Sequence, residues 1–162
     1  MTMLIYLDTN VYSRPFDNQN KPEIRSEADA FMDIVSEIKS EKFTVLCSDI
    51  LMFEVYNILS EDKRNKVKSY LGLCSQHIDN SDKIMNLGQQ IGDRCQIRAR
   101  DALHIASAII GGARYCLSCD KKVTQMKQSR CYRSLAKAYR QEYFSVMNPV
   151  QFINKFKKGG KL

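Results

Sequence analysis

Short apolar runs alternate along this chain with longer segments whose apolar residues return every three or four positions. That alternation predicts strands separated by helices. Met3 to Leu7 (MLIYL) is an unbroken apolar run that ends at Asp8 and reads as a buried strand. The stretch from Tyr12 to Pro22 reads as a loop, broken by Pro15 and Pro22. Ala28, Phe31, Ile34, Val35 and Ile38 then recur at helical spacing in otherwise polar surroundings. Phe43 to Cys47 is a second strand, and Ser48 is placed to cap a helix running to Leu59. Asp62 to Leu73 and Ser81 to Arg94 read as two helices with one polar side. Ala99 to Ile110 is apolar almost all round, which predicts a deeply buried helix ended by Gly111-Gly112. Tyr115 to Ser118 and Tyr143 to Met147 are further strands, and Asn148-Pro149 opens a last short helix.

Apolar strands without clean alternation, separated by helices, imply a parallel α/β sheet covered on both faces. Ligands in such sheets gather at the carboxyl ends of the strands. Four acidic residues stand at those ends or inside apolar segments: Asp8, Glu54 within ILMFEVYNIL, Asp101 opening DALHIASAII, and Asp120 after YCLSC. Each has an ordinary explanation. Asp101 suits a helix start, Asp120 suits a turn or cap, and Glu54 suits an ion pair. Together they need a shared one, because a carboxylate in apolar surroundings is costly unless paired. A divalent cation in an acidic pocket is the most economical.

Composition narrows the field. A chain of 162 residues builds one sizeable core, and no repeat or Pro/Gly-rich linker divides it, so a single domain is expected. No apolar run approaches the roughly 20 residues that cross a bilayer, so no membrane partner is expected. MTMLIYLDTN lacks the basic segment and cleavage site of a secretion signal, and six cysteines without export read as reduced thiols in a cytoplasm. The net charge of +7 is uneven: residues 121–162 carry eleven Lys or Arg against Glu142 alone. A basic third of this kind suits a polyanion, nucleic acid first, and equally suits a solvated face.

LDTN at 7–10, SDILMFEVYNIL at 48–59, RDALHIASAIIGGARYCLSCDKKV at 100–123 and VMNPVQFI at 146–153 resemble the PIN-domain ribonucleases. The likeness runs from Met3 to about Phe156 and is to the subgroup containing the VapC-type toxins of prokaryotic VapBC toxin–antitoxin modules. It implies a PIN-like three-layer α/β sandwich with a central parallel sheet of four to five strands, in one domain over 1–162 with a frayed tail at 157–162. It also implies a cytoplasmic, Mg²⁺- or Mn²⁺-dependent endoribonuclease that leaves a 5′-phosphate and a 3′-hydroxyl. The implied partners are RNA, a small antitoxin and a second copy of the chain, with the helices between Asp62 and Arg94 as the dimer surface. Carried over by position, Asp8, Glu54, Asp101 and Asp120 form the catalytic and metal-holding set. Asn10 and Ser118 fall where the family places polar residues near the metal.

The chemistry agrees with the residue types. Hard cations take carboxylate and water oxygens, so Asp8, Asp101 and Asp120 are expected to hold the ion, with Glu54 completing the shell or orienting the attacking water. His104, one turn after Asp101, reads either as a partner of that carboxylate behind the metal or as a satisfied core histidine. Arg98, Arg100, Lys121 and Lys122 flank the site in sequence and suit RNA phosphates or plain solvation. Cys116-x-x-Cys119 with Cys74-x-x-His77 has zinc-ligand types, though Cys116 falls within a strand. Two other functions stay open: a catalytically silent RNA-binding protein on the same fold, and a phosphatase using Asp8 as nucleophile. The second requires an aspartate where this chain has Asn10.

Overall fold

A computed structural model describes residues 2–159. Five strands, β1 (Met3–Leu7), β2 (Phe43–Ser48), β3 (Cys74–Ile78), β4 (Tyr115–Leu117) and β5 (Ser145–Met147), form one sheet. Their order is β3-β2-β1-β4-β5, with every pairing parallel. Successive strands therefore step outward from β1 to one side and then restart on its other side at β4. The connection reverses between β1 and β4, which makes their carboxyl ends the natural crevice for a ligand.

The helices are α1 (Thr9–Ser13), α2 (Pro22–Lys39), α3 (Asp49–Tyr56), α4 (Glu61–Tyr70), α5 (Asp82–Cys95), α6 (Ala99–Ile110), α7 (Lys121–Thr124), α8 (Met126–Ala136) and α9 (Pro149–Gly159). They cover both faces, and strand alternation sorts the core into two layers. Ile5, Leu7, Val45, Tyr115 and Leu117 face one layer with Phe31 and Ile34 of α2 and Phe152 of α9. Tyr6, Leu46, Cys116 and Val146 face the other with Ile91 of α5, Ile105 and Ile109 of α6 and Tyr132 of α8. A strand buried on both sides needs apolar residues at every position, which is why the runs show no alternation in sequence. This is the expected α/β sandwich.

Several boundaries differ from the sequence reading for identifiable reasons. The expected loop from Tyr12 to Pro22 is partly structured: α1 runs to Ser13 and a 3₁₀ turn covers Arg14–Phe16. Pro22 does not break a helix but opens α2 at its first position, where the missing N–H costs nothing. The helix after Ser48 stops at Tyr56, and Ser60 caps the next one by accepting from Lys63 N–H. Strand β3 was not foreseen, because CSQHI is largely exposed at a sheet edge and lacks the apolar content of the central strands. Strand β5 begins at Ser145, leaving Tyr143 exposed.

The helix α6 ends as expected at Gly111-Gly112, and for a packing reason as well as a conformational one. A Cβ at Gly111 would run into the Leu46 side chain, and Gly112 takes φ +83°. Helix α9 continues through residues 157–159, with Lys157 paired to Asp33. Residues 160–162 of the expected frayed tail lie outside the described residues.

The cysteines depart from the expectation of six thiols. Cys47 is bonded to Cys74 and Cys95 to Cys131, while Cys116 and Cys119 are free and buried. Adjacency of β2 and β3, and the packing of α5 on α8, bring partners together that sequence spacing does not connect. The zinc reading fails for the same reason. Cys74 is consumed by Cys47, and His77 turns to Asp49 and Asp79 instead.

Candidate active site

The carboxyl end of β1 delivers Asp8 into the crevice, where the residue is 5% exposed and its backbone N–H donates to Leu117 O at 2.9 Å. Glu54 projects from α3, whose start is fixed by Ser48 accepting from Leu51 N–H. Between the two stands His104 of α6. Its Nε2 lies 2.6 Å from Glu54 Oε1 and 3.4 Å from Asp8 Oδ1. Thr9 donates a second hydrogen bond to Glu54 Oε1, and Arg100 Nη1 lies 3.9 Å from Glu54 Oε2.

These neighbours set the ionisation. Burial pushes the Asp8 carboxyl up, His104 opposes that, and the nearby Glu54 and Asp101 carboxylates add to the rise. Burial also acts against ionised Glu54, yet hydrogen bonds from His104 and Thr9 with the Arg100 charge hold it below the usual range. Burial opposes the charged imidazole of His104, but Asp8, Glu54 and Asp101 outweigh it and raise its pKa.

The other two acids occupy the outer part of the crevice. Asp101 sits in the first turn of α6, where Arg98 Nε reaches its Oδ2 at 3.1 Å. Asp120 caps α7 by accepting from Lys122 N–H at 2.9 Å, and its Oδ2 lies 3.7 Å from Arg98 Nη2. Both line a cleft of about 500 Å³ with Gln96, Ile97, Arg98, Lys122 and Val123. The structure thus brings Asp8, Glu54 and His104 within 4.8 Å of one another, donor atom to donor atom. Asp101 and Asp120 stand beside that group, linked by Arg98.

The remaining residues singled out in the sequence divide by what they touch. Asn10 donates to Ser118 Oγ at 3.2 Å and accepts from Cys119 N–H at 3.0 Å, while Ser118 Oγ accepts from Asp120 N–H. The pair therefore sets the course of the loop that carries Asp120. His104 braces Glu54 and Asp8 rather than hydrogen-bonding Asp101. Arg98 and Arg100 contact the acids, and Lys122 borders the cleft, whereas Lys121 reaches away to Glu23 of α2 at 2.6 Å. Thr9 and Tyr6 were not singled out in sequence, and Ser48 only as a helix cap; Tyr6 and Ser48 stand behind His104. The one available signal was a polar tip, Tyr6, inside an otherwise aliphatic strand.

A divalent cation fits this donor set. Two carboxylates at close quarters, one pushed up by burial and then by the other, supply hard oxygen ligands and gain from a positive charge between them.

The PIN domain family model matches residues 5–128, and the chain belongs to that family. PIN domains are generally nucleases. No curated protein matches the chain in sequence. Among solved structures it is similar to VapBC2 from Rickettsia felis bound to a DNA fragment from their promoter, with a TM-score of 0.53 and 16% identity. That likeness spans 89% of this chain and 98% of the other.

Proposed function

We propose that this protein is a metal-dependent endoribonuclease, acting on RNA in the cytoplasm as the toxin of a toxin–antitoxin pair. The observation that carries the proposal is the gathering of Asp8 and Glu54 around His104 at the point where the sheet reverses, with the Asp101 charge near enough to act on Asp8. In this reading Asp8, Glu54, Asp101 and Asp120 hold Mg²⁺ or Mn²⁺ directly or through water. When bound, the ion supplies positive charge against the scissile phosphate and acidifies nearby solvent. Glu54 Oε1 is taken up by His104 and Thr9, so Oε2, with Arg100 Nη1 3.9 Å away, is the oxygen left to meet the ion or orient the attacking water. Arg98 and Arg100, 80% and 64% exposed in their side chains, are placed to hold RNA phosphates on either side. Cleavage then leaves a 5′-phosphate and a 3′-hydroxyl, as the family resemblance implies. A small antitoxin, as in the similar VapBC2 assembly, and a second copy of the chain are the protein partners.

One observation favours a second reading, a catalytically silent RNA-binding protein. Arg98 already bridges Asp101 and Asp120, where an ion would otherwise balance them. The arginine end of this bridge is 80% exposed, so solvent weakens it and a divalent ion can displace it from the less exposed carboxylates. RNA cleavage by purified Asp8→Asn and Asp101→Asn with Mg²⁺ separates the readings. Loss of cutting in both supports the nuclease, and cutting at the parent's rate by either removes it.

A further inference from the structure

Tyr6 lies mid-strand in β1 with no exposed surface, yet it carries a hydroxyl that apolar packing does not require. That hydroxyl lies 2.6 Å from His104 Nδ1 and 2.6 Å from Ser48 Oγ. Ser48 Oγ in turn accepts from Leu51 N–H at 3.2 Å. On the opposite side of the imidazole, Nε2 meets Glu54 and Asp8. A continuous hydrogen-bonded line thus runs from β2 through β1 to α6 and ends at Glu54, with Asp8 Oδ1 facing the same nitrogen at 3.4 Å. Ser48 and His104 are each 1% exposed, so no solvent serves as an alternative partner along it.

The donor and acceptor inventory gives the line a direction. An ionised carboxylate only accepts, so Nε2 carries a proton toward Glu54. In the neutral ring Nδ1 is then an acceptor, which makes Tyr6 the donor to it. The Tyr6 oxygen is left to accept from Ser48 O–H, and Ser48 Oγ to accept from Leu51 N–H. Every polar atom in the line is satisfied in this arrangement, and in a buried place an unsatisfied one is costly.

We infer that Tyr6, held by Ser48, is a positioning residue that fixes the His104 ring so that its Nε2–H braces Glu54 and Asp8. His104 is then a donor that sets the two carboxylates. Glu54 Oε2 and the second Asp8 oxygen are left for the cation. The inference rests on reading those carboxylates as ion-holding. Tyr6 acts at one remove and touches neither ion nor substrate. Partners of this kind behind a metal site typically change affinity 10- to 100-fold when lost.

Tyr6→Phe keeps the ring and deletes only the hydroxyl. In metal-free protein, ¹⁵N spectra of the imidazole, taken above the raised pH at which the His104 ring itself loses its charge, report which nitrogen carries the proton. The parent is expected to show protonated Nε2 and bare Nδ1, and Tyr6→Phe a mixture of tautomers. Mn²⁺ titration followed by paramagnetic resonance is expected to show affinity about 10- to 100-fold weaker in Tyr6→Phe. His104→Gln and the double variant should bind Mn²⁺ equally weakly, because Tyr6 acts only through the ring.

Losses that multiply in the double variant overturn the inference, as does parent-like Mn²⁺ affinity in Tyr6→Phe. Should Tyr6→Phe not fold, the parent's ring spectrum still decides, since a protonated Nδ1 with bare Nε2 contradicts the line. A parent that binds no Mn²⁺ but shows the expected ring spectrum fails the ion-site reading while supporting the Tyr6–His104 line.

Discussion

The inner and outer halves of the candidate site are built by opposite means. Asp8 is buried at the end of β1, and part-buried Glu54 is held by hydrogen bonds from His104 and Thr9, with Asp8 Oδ1 3.4 Å from the same His104 nitrogen. Asp101 and Asp120 stand at the cleft wall and are joined by one arginine whose side chain is 80% exposed. The inner half is rigid and electrostatically uncomfortable without a cation. The outer half is adaptable and already has a counter-charge. Precision in a site comes from side chains locked by their neighbours, whereas an exposed ion pair contributes little energy and moves aside easily. The inner pair is therefore where substitution should do most damage to chemistry.

The largest expected effect follows directly. Asp8→Asn should slow RNA cleavage by roughly a thousandfold, the scale on which removal of one electrostatic group acts at a reacting centre. The same change should not destabilise the metal-free fold. Because burial raises the Asp8 carboxyl pKa, its ionised form weakens folding. That penalty is absent below the unfolded value, grows as pH rises through the window up to the folded value, and is complete above it. An uncharged Asn escapes it. Thermal melts in chelator at neutral pH are expected to show Asp8→Asn at least as stable as the parent. A variant that melts well below the parent would show that Asp8 serves the fold.

Next in size is the staple behind the cleft wall. Cys95 ends α5 one residue before the cleft-lining Gln96, and it is bonded to Cys131 of α8 across 36 residues of chain. That closed segment contains Arg98, Asp101, His104 and Asp120. Cross-linking a loop of this length is worth about 4 kcal/mol through the unfolded chain. Cys131→Ser, compared with the oxidised parent by urea denaturation, should lose about that much. If the outer half is as adaptable as its contacts suggest, the fully reduced parent retains its cleavage rate. A collapse of activity on reduction would instead show that the outer wall needs the staple, and the contrast between halves would fall.

Metal should stabilise through the inner half. At a hundredfold excess over its dissociation constant, Mn²⁺ adds about 2.7 kcal/mol to the parent. Arg98→Ala should preserve that gain or enlarge it, since the arginine competes for Asp101 and Asp120. Glu54→Gln should reduce it. Melting curves with and without Mn²⁺ for the three proteins test the ordering. Equal gains in all three would place the ion elsewhere.

The sequence made the two halves visible to different degrees. Asp8 was legible because a carboxylate directly after a central strand has few structural uses, and Asp101 and Asp120 because each begins a helix beside an apolar run. Glu54 was legible only as an oddity within an apolar helix. What joined them was not. The contacts of His104 depend on Tyr6 and Ser48, 98 and 42 residues away from their respective partners in the line. No local periodicity encodes separations of that size. The edge strand β3 was missed for the converse reason. Its exposure to solvent removed the apolar pattern that marks the other strands, and with it the adjacency of Cys47 and Cys74.

The smallest effect concerns the basic residues after β4, which sequence alone could not rank. Lys121 points away from the cleft to Glu23, with the two side chains 76% and 69% exposed. Such a pair contributes at most about 1 kcal/mol, so Lys121→Ala should leave stability nearly unchanged. Lys122 instead borders the cleft next to Asp120. If RNA phosphates track along that wall, Lys122→Ala should reduce the salt dependence of RNA binding by about one unit of slope, and Lys121→Ala by much less. Binding measured across a salt series, with catalysis silenced by Asp8→Asn, isolates this electrostatic contribution from chemistry. Equal slopes for both lysine variants would mean that proximity to the cleft does not select the RNA path. The basic third would then act as a diffuse field, and the outer half of the site would have no part in gripping the substrate.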